Sequence, residues 1–119
     1  MRMWMVDVQT MCRKHLMGEH VETHMYVGGM LKGTRMGGYI AGNLLEPLSL
    51  KSRHDELAAE MVSRGYHHDS NMGPNVVAAA LASLPEEFIL ATVRKADALA
   101  ELHRRCPDCA TRWRLKYKD

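Results

Sequence analysis

Apolar residues recur at helical spacing along most of this chain. Between residues 8 and 31, Met11 and His15 lie four positions apart, as do Cys12 and Leu16, so they share one stripe of a helix. No long alternation of apolar and polar residues occurs, and only 6% of residues are aromatic, so the strand signal is weak. The pattern predicts a first helix from about residue 8 to about residue 31.

Two further long helices follow from their end signals. One starts after Ser52 and stops at Arg64-Gly65, because glycine tolerates the positive φ of a residue that ends a helix. The other starts at the capping-box sequence Ser83-Leu84-Pro85-Glu86 and continues to about Arg104. A short alanine-rich helix is expected at residues 75–82.

Irregular segments at residues 28–47 and 66–74 connect these helices. With 119 residues and 46% hydrophobic content, the chain suits one compact domain. We therefore expect a single all-α domain, residues 1–119, with three main helices, irregular connecting loops and an N-terminus packed near the first helix.

Composition narrows the setting of this domain. No apolar run of about 18 residues is present, so we expect no membrane span. The segment Met1–Asp7 lacks the features of a signal peptide, and three cysteines are an odd number for a disulfide framework. These features favour the reducing cytoplasm, and we expect a monomer. The net charge of +2 is small, but residues 102–118 hold six Arg/Lys against one acid.

One block carries the most specific signal. The segment Arg13-Lys14-His15-Leu16-Met17-Gly18-Glu19-His20-Val21-Glu22 resembles the active-site helix of the pyrimidine-dimer DNA glycosylase/endonuclease V family. The resemblance implies two catalytic groups, a chain-terminal α-amine and one glutamate. The glutamate at the matching position is Glu22, and the family spacing counted back from it reaches Met1. Arg2 is a large residue, so we expect Met1 to be retained.

An α-amine suits the chemistry that this resemblance implies. Its ordinary pKa of about 7.7–8.0 leaves a useful neutral fraction near pH 7, whereas a lysine at about 10.4 is almost wholly protonated. A neutral amine can attack the sugar carbon C1′ and form a Schiff base, which then permits β-elimination. A carboxylate near C1′ can stabilise positive charge and move protons. Glu22 is the candidate for both tasks.

Other segments extend the resemblance. Residues 57–66, preceded by Arg53 and Glu56, look like the second helix of the family, and residues 113–117 look like its aromatic, basic C-terminal segment. The family implies an all-helical N-glycosylase and AP lyase that acts on cyclobutane pyrimidine dimers in kinked duplex DNA, without a metal or other cofactor. The DNA contacts expected from these matches are Arg2, Arg13, Lys14, His15, Arg53, Arg64, Trp113, Arg114, Lys116 and Tyr117.

The chain also departs from the family pattern. Val21 and Met25 stand where viral members carry arginines, and Lys14 replaces a glutamine. The lesion is therefore less firmly indicated than the reaction. The same chemistry on another damaged base or on an abasic site is one alternative, and a non-catalytic module that binds damaged DNA is a second.

Histidines and cysteines leave a metal-dependent hydrolase as a third alternative. His20 and His24 are one turn apart, but the zincin pattern needs a glutamate where Val21 stands. Cys106 and Cys109 form half of a zinc site, which His103 and Cys12 would complete if the third helix ended beside the first. The competing interpretation is a turn with reduced thiols.

Overall fold

The computed structural model describes residues 1–118, which fold into α-helices and short 3-10 turns without a strand. The all-α prediction is confirmed, although residues 1–118 hold six α-helices rather than three main ones. The helices are α1 (Arg13–Leu31), α2 (Gly37–Ala41), α3 (Leu50–Ser63), α4 (Pro74–Ala82), α5 (Lys95–Arg105) and α6 (Pro107–Lys116), and the 3-10 turns are Val8–Thr10, Pro47–Ser49 and Glu86–Phe88.

The first helix starts five residues later than its apolar stripe predicts. The Asp7 carboxylate accepts a hydrogen bond from the Gln9 backbone N–H (3.0 Å) and closes the separate 3-10 turn Val8–Thr10. Cys12, with φ −69° and ψ 164°, is extended and forms the N-cap of α1. The chain therefore changes direction before α1. The helical spacing of the apolar residues did not predict this change.

The predicted third helix is wrong in its first half. Ser83 ends α4 instead of starting a helix, and its hydroxyl donates to the carbonyl oxygens of Ala80 (2.6 Å) and Met30 (3.0 Å). With this hydroxyl used to satisfy helix-end carbonyls, no capping box forms. The chain makes only the turn Glu86–Phe88 before α5 starts at Lys95.

The other predicted bounds agree more closely. The alanine-rich segment forms α4, and α3 ends before Gly65, whose φ of +83° is the left-handed conformation predicted there. Helix α6 was not predicted. Pro107 occupies its first turn and the Cys106 sulfur accepts a hydrogen bond from the Cys109 N–H, so the presumed turn starts a helix.

Helix α1 lies at the centre of the core. It packs against α3 and α4, while α6 packs against α5 and the turn Val8–Thr10. Leu16, Tyr26 and Leu57 are fully buried along these contacts. The extended N-terminal segment is also buried at Met3 and Trp4, which confirms that the N-terminus packs near α1. Within residues 1–118, the helices are too short or too polar to cross a membrane.

Candidate active site

The N-terminal segment is fixed to the body of the protein by hydrogen bonds. The Met3 backbone N–H donates to the carbonyl oxygen of Leu44 (2.8 Å). The Tyr26 hydroxyl lies 3.1 Å from the Met1 carbonyl oxygen and 3.3 Å from that of Leu44, so its one proton serves both acceptors. These contacts hold residue 1 against α1, where a free terminus would otherwise fray.

Glu22 lies one helical turn before Tyr26 on α1, on the side that faces the N-terminal segment. Burial raises the pKa of the Glu22 carboxyl above its ordinary value. The nearby backbone N–H of Arg2 and the positive charge of the N-terminal amine oppose this rise. The amine and the carboxylate are therefore electrostatic neighbours in the folded chain.

Met1 and Glu22 both line one cleft of about 400 Å³. Three cationic side chains, Arg2, Lys14 and Arg105, line it. The Arg2 guanidinium lies 4.0 Å from the Trp4 ring centroid, and that of Arg105 lies 5.8 Å from it. Burial and the nearby charge of Arg105 lower the pKa of Arg2. A concave surface with this positive charge attracts the negatively charged phosphate backbone of DNA. The remaining lining residues are Met1, His15, Gly18, Glu19, Glu22 and Leu44.

Glu19, which lines this cleft, belongs to a buried ion pair. Arg53 Nε lies 2.7 Å from Glu19 Oε2, and Arg53 Nη2 lies 2.9 Å from Glu19 Oε1, a two-point contact. The third guanidinium nitrogen donates to Glu56 Oε1 (2.5 Å). Glu19 Oε2 also lies 3.5 Å from the Met5 backbone nitrogen, and Met5 has a left-handed φ of 57°. The pair thus braces α1, α3 and a strained residue of the N-terminal segment.

Most residues of this cleft lie in a segment that matches a known protein family. The model of a protein family described as pyrimidine dimer DNA glycosylase matches residues 1–73, which include Met1, Glu22 and all of α3. The chain belongs to this pyrimidine dimer DNA glycosylase family. Membership supports a glycosylase that takes DNA as its substrate. No curated protein and no solved structure matches the chain.

The role expected for Arg53 is corrected by its burial. It was expected to contact DNA, but it is only 3% exposed and its guanidinium is bound to Glu19 and Glu56. Arg64 is half-buried and has a similar internal role, because it donates to Glu60 Oε2 (2.7 Å) and to the Val8 carbonyl oxygen (2.9 Å). Both arginines serve the packing of the glycosylase fold.

The basic residues at the start of α1 reach the surface. Arg13 is exposed and its guanidinium lies 4.7 Å from the Tyr66 ring centroid, which orients it. Lys14 is exposed at the cleft. His15 is half-buried, and its ring makes an edge contact with Trp4 at 6.1 Å.

The aromatic, basic segment of α6 is turned partly toward the protein itself. Lys116 and Tyr117 both contact the carboxylate of Asp7, and the Trp113 ring packs against that of Tyr117 at a 42° tilt, with ring centroids 4.4 Å apart. Arg114 is exposed and donates to the Thr111 hydroxyl (3.2 Å). The structure places this segment beside the turn Val8–Thr10 and outside the lining of the cleft.

Residues 1–118 contain two clusters of side chains that could bind a metal, and one of them includes His15 of the cleft. Cys12, His15, Cys106 and Cys109 bring one donor atom each to within 4.8 Å of one another. His15, and not the predicted His103, is the fourth member. His103 instead lies against Trp113, with ring centroids 5.6 Å apart.

The second cluster joins three histidines from distant parts of the chain. Nε2 of His20 lies 3.0 Å from Nε2 of His68, and the His54 ring lies 4.9 Å from that of His20. Burial, followed by the charges of the neighbouring histidines, lowers the pKa of His20 to about 4. The predicted pairing partner, His24, lies beside this trio with its ring 5.0 Å from that of His20.

Sequence reasoning missed three residues that shape the cleft. Tyr26 had no motif to mark it, although it follows Glu22 by four positions and shares its helix face. Glu19 was noted only as part of the matched block. Arg105 was counted in the basic C-terminal region, but only the fold brings it across to Arg2 and Trp4.

Proposed function

We propose that this protein removes cyclobutane pyrimidine dimers from duplex DNA with the α-amine of Met1 as the nucleophile and Glu22 as the assisting carboxylate, and that it then cuts the strand as an AP lyase. The observation that supports this most directly is the meeting of the two groups. The Tyr26 hydroxyl holds Met1, and Glu22, one turn earlier on α1, lines the same cationic cleft as Met1.

The reaction begins with the neutral amine. Its lone pair forms a bond to C1′ of the sugar while the glycosidic bond breaks, and the electrons of that bond leave with the base, which takes up a proton. Loss of one proton from the bound amine, and opening of the C1′–O4′ bond with uptake of a proton by O4′, give a protonated Schiff base and a free 4′-hydroxyl. Removal of a C2′ proton then expels the 3′ phosphate by β-elimination. Hydrolysis of the imine returns the free amine.

Glu22 has two tasks in this sequence. Its negative charge stabilises the positive charge that develops at C1′ as the glycosidic bond breaks, and it accepts a proton during the later steps. Both tasks need the ionised carboxylate, which the Arg2 N–H and the amine's charge favour, while burial favours the protonated form. A carboxyl balanced in this way suits proton transfer.

Cations around the cleft hold the strand. Arg2, Lys14 and Arg105 line it, and Arg13 extends the positive surface along the start of α1. These side chains neutralise phosphates on either side of the lesion and leave the reacting sugar next to Met1. Weaker contacts are proposed for Trp113, Arg114 and Lys116 on α6, for Tyr117 directly after it, and for the His15 ring at the cleft wall.

Borohydride trapping tests the proposal. The protein, after intact mass has verified Met1 as its first residue, is incubated without added divalent metal with duplexes that carry one thymine dimer, one abasic site or no lesion. Mass spectrometry then maps any adduct. We expect an adduct on the Met1 amine with the dimer duplex. Glu22→Gln should reduce trapping by on the order of 10²- to 10⁴-fold, whereas Glu87→Gln, on an exposed turn, should leave it unchanged.

The other outcomes identify the alternatives. Trapping on the abasic duplex alone would keep the amine chemistry and reject the dimer as substrate. Binding of dimer DNA without trapping on any duplex would reject the amine mechanism in favour of a damage-binding module. An adduct on Lys14 in place of Met1 would reject the assigned nucleophile.

A further inference from the structure

We propose that Cys12, His15, Cys106 and Cys109 bind one structural zinc ion that joins the two ends of the chain. The four residues form two short pairs, Cys12-x-x-His15 and Cys106-x-x-Cys109. The first pair lies at the start of α1 and the second at the α5–α6 junction. Three thiols and one imidazole are a common ligand set for structural zinc.

The distances between donor atoms fit a tetrahedral ion. Cys12 Sγ lies 3.2 Å from His15 Nδ1 and 3.8 Å from Cys106 Sγ, and Cys109 Sγ lies 3.7 Å from His15 Nδ1. Zinc bonds of about 2.3 Å to sulfur and about 2.0–2.1 Å to nitrogen place tetrahedral ligand atoms roughly 3.5–3.8 Å apart. These three distances lie within a few tenths of an ångström of that spacing, and all four donor atoms lie within 4.8 Å of one another.

Backbone N–H groups are directed at two of the sulfurs. The Cys12 N–H donates to Cys109 Sγ (3.2 Å), and the Cys109 N–H donates to Cys106 Sγ (3.4 Å). Hydrogen bonds to sulfur favour the thiolate, the form that binds a metal. Binding would release the thiol protons to solvent and leave the imidazole neutral, with Nδ1 as its ligand atom.

A bare cluster of reduced thiols explains these features less well. Burial of Cys106 and Cys109 does not by itself distinguish the two interpretations, because a reduced cysteine is often buried as a small hydrophobic residue. A disulfide would join only two of the three thiols and leave the third with, at most, the His15 ring as its partner. The N–H groups directed at sulfur and the ring nitrogen turned toward two sulfurs are both accounted for by one ion.

The ion would stabilise the fold and would take no part in the reaction. Four protein ligands leave no open position for substrate. Residues 94 to 97 positions apart in sequence meet here, and a metal that closes so long a loop stabilises the native chain. It would also fix His15 in the cleft wall and Arg105, which directly precedes Cys106. The second ligand pair lies beyond residues 1–73, the range matched by the family.

Metal content and cobalt spectroscopy test this proposal without reference to activity. Protein purified from zinc-supplemented medium should contain one zinc per chain by elemental analysis. Its three thiols should resist a thiol reagent until a strong chelator is added. Exchange of zinc for Co²⁺ should give thiolate-to-cobalt charge transfer and the intense visible bands of a tetrahedral site. Absence of zinc together with failure to bind Co²⁺ would overturn the proposal.

Matched variants locate the ion. Cys109→Ser should lose the zinc, and His15→Cys should retain a tetrahedral cobalt site with a stronger charge-transfer band. His103→Gln and His68→Gln should keep one zinc each, because neither residue belongs to the cluster. If Cys109→Ser fails to fold, the His15→Cys spectrum still decides. An unchanged spectrum in His15→Cys, or zinc lost from His68→Gln, would overturn the assignment.

Discussion

The Tyr26 hydroxyl lies 3.1 Å from the carbonyl oxygen of Met1 and so ties the first residue to the central helix. The same helix carries Glu22 one turn earlier, beside the Arg2 backbone N–H. A catalytic terminus has no neighbouring residue on one side to fix it, so its position depends on contacts of this kind. Tyr26 is therefore a positioning residue in the proposed mechanism.

Loss of this hydroxyl should slow the reaction more than it unfolds the protein. Tyr26→Phe keeps the buried ring, and we expect the single-turnover rate on dimer DNA to fall on the order of 10-fold, because small displacements of a nucleophile are costly. Tyr39→Phe is the matched control, since Tyr39 packs edge-on against Tyr26 at 5.1 Å. Equal rates for wild type and Tyr26→Phe would remove this role from Tyr26.

The buried pair of Glu19 and Arg53 should be a major contributor to stability. Arg53→Met leaves the Glu19 carboxylate buried without its partner, which should lower the free energy of unfolding by roughly 3–5 kcal/mol. Urea denaturation measures this change. Lys51→Ala breaks an exposed pair with Asp55 and should cost only about 0.2–1 kcal/mol. A small loss in Arg53→Met that matches the control would contradict the prediction.

Arg105 should contribute to the salt dependence of DNA binding. It lines the cleft, whereas its neighbour Arg104 does not, although both pair with Glu101. Arg105→Ala should weaken binding and reduce the slope of log K against log salt by roughly one unit. Arg104→Ala is the control and should retain the wild-type slope in fluorescence-anisotropy titrations. Identical slopes for the two variants would argue against a phosphate contact by Arg105.

Mild acid should destabilise the fold through His20. Its pKa of about 4 in the folded protein lies below the ordinary value of 6.5, so the unfolded chain binds more protons between these values. The stability that neutral His20 contributes is present in full above pH 6.5. It falls as the pH drops toward 4, by about 1.4 kcal/mol per pH unit.

Urea titrations at pH 7 and pH 5 measure this effect. His20→Gln should lose less stability between the two pH values than the wild type, by about 2 kcal/mol. His67→Gln, whose side chain is 85% exposed, should behave as the wild type does. The same loss in all three proteins would mean that other groups control the acid transition.

Much of the helical content was predictable because it depends on neighbours in sequence. The apolar spacing around Leu16 and the left-handed Gly65 set the course of α1 and the end of α3 through local geometry. The capping box predicted at Ser83 does not form because of a contact distant in sequence. The Ser83 hydroxyl donates to the carbonyl oxygen of Met30, on α1, and does not cap a new helix.

The sequence by itself determined the all-α class and the block ending at Glu22 that marks the family, because periodicity and motif spacing are properties of the linear chain. Only the tertiary structure decided that Arg53 is buried, that Arg105 reaches the cleft, and that His15 joins Cys106 and Cys109. Burial and long-range contact depend on how helices pack, and packing sums many small interactions from residues far apart in sequence.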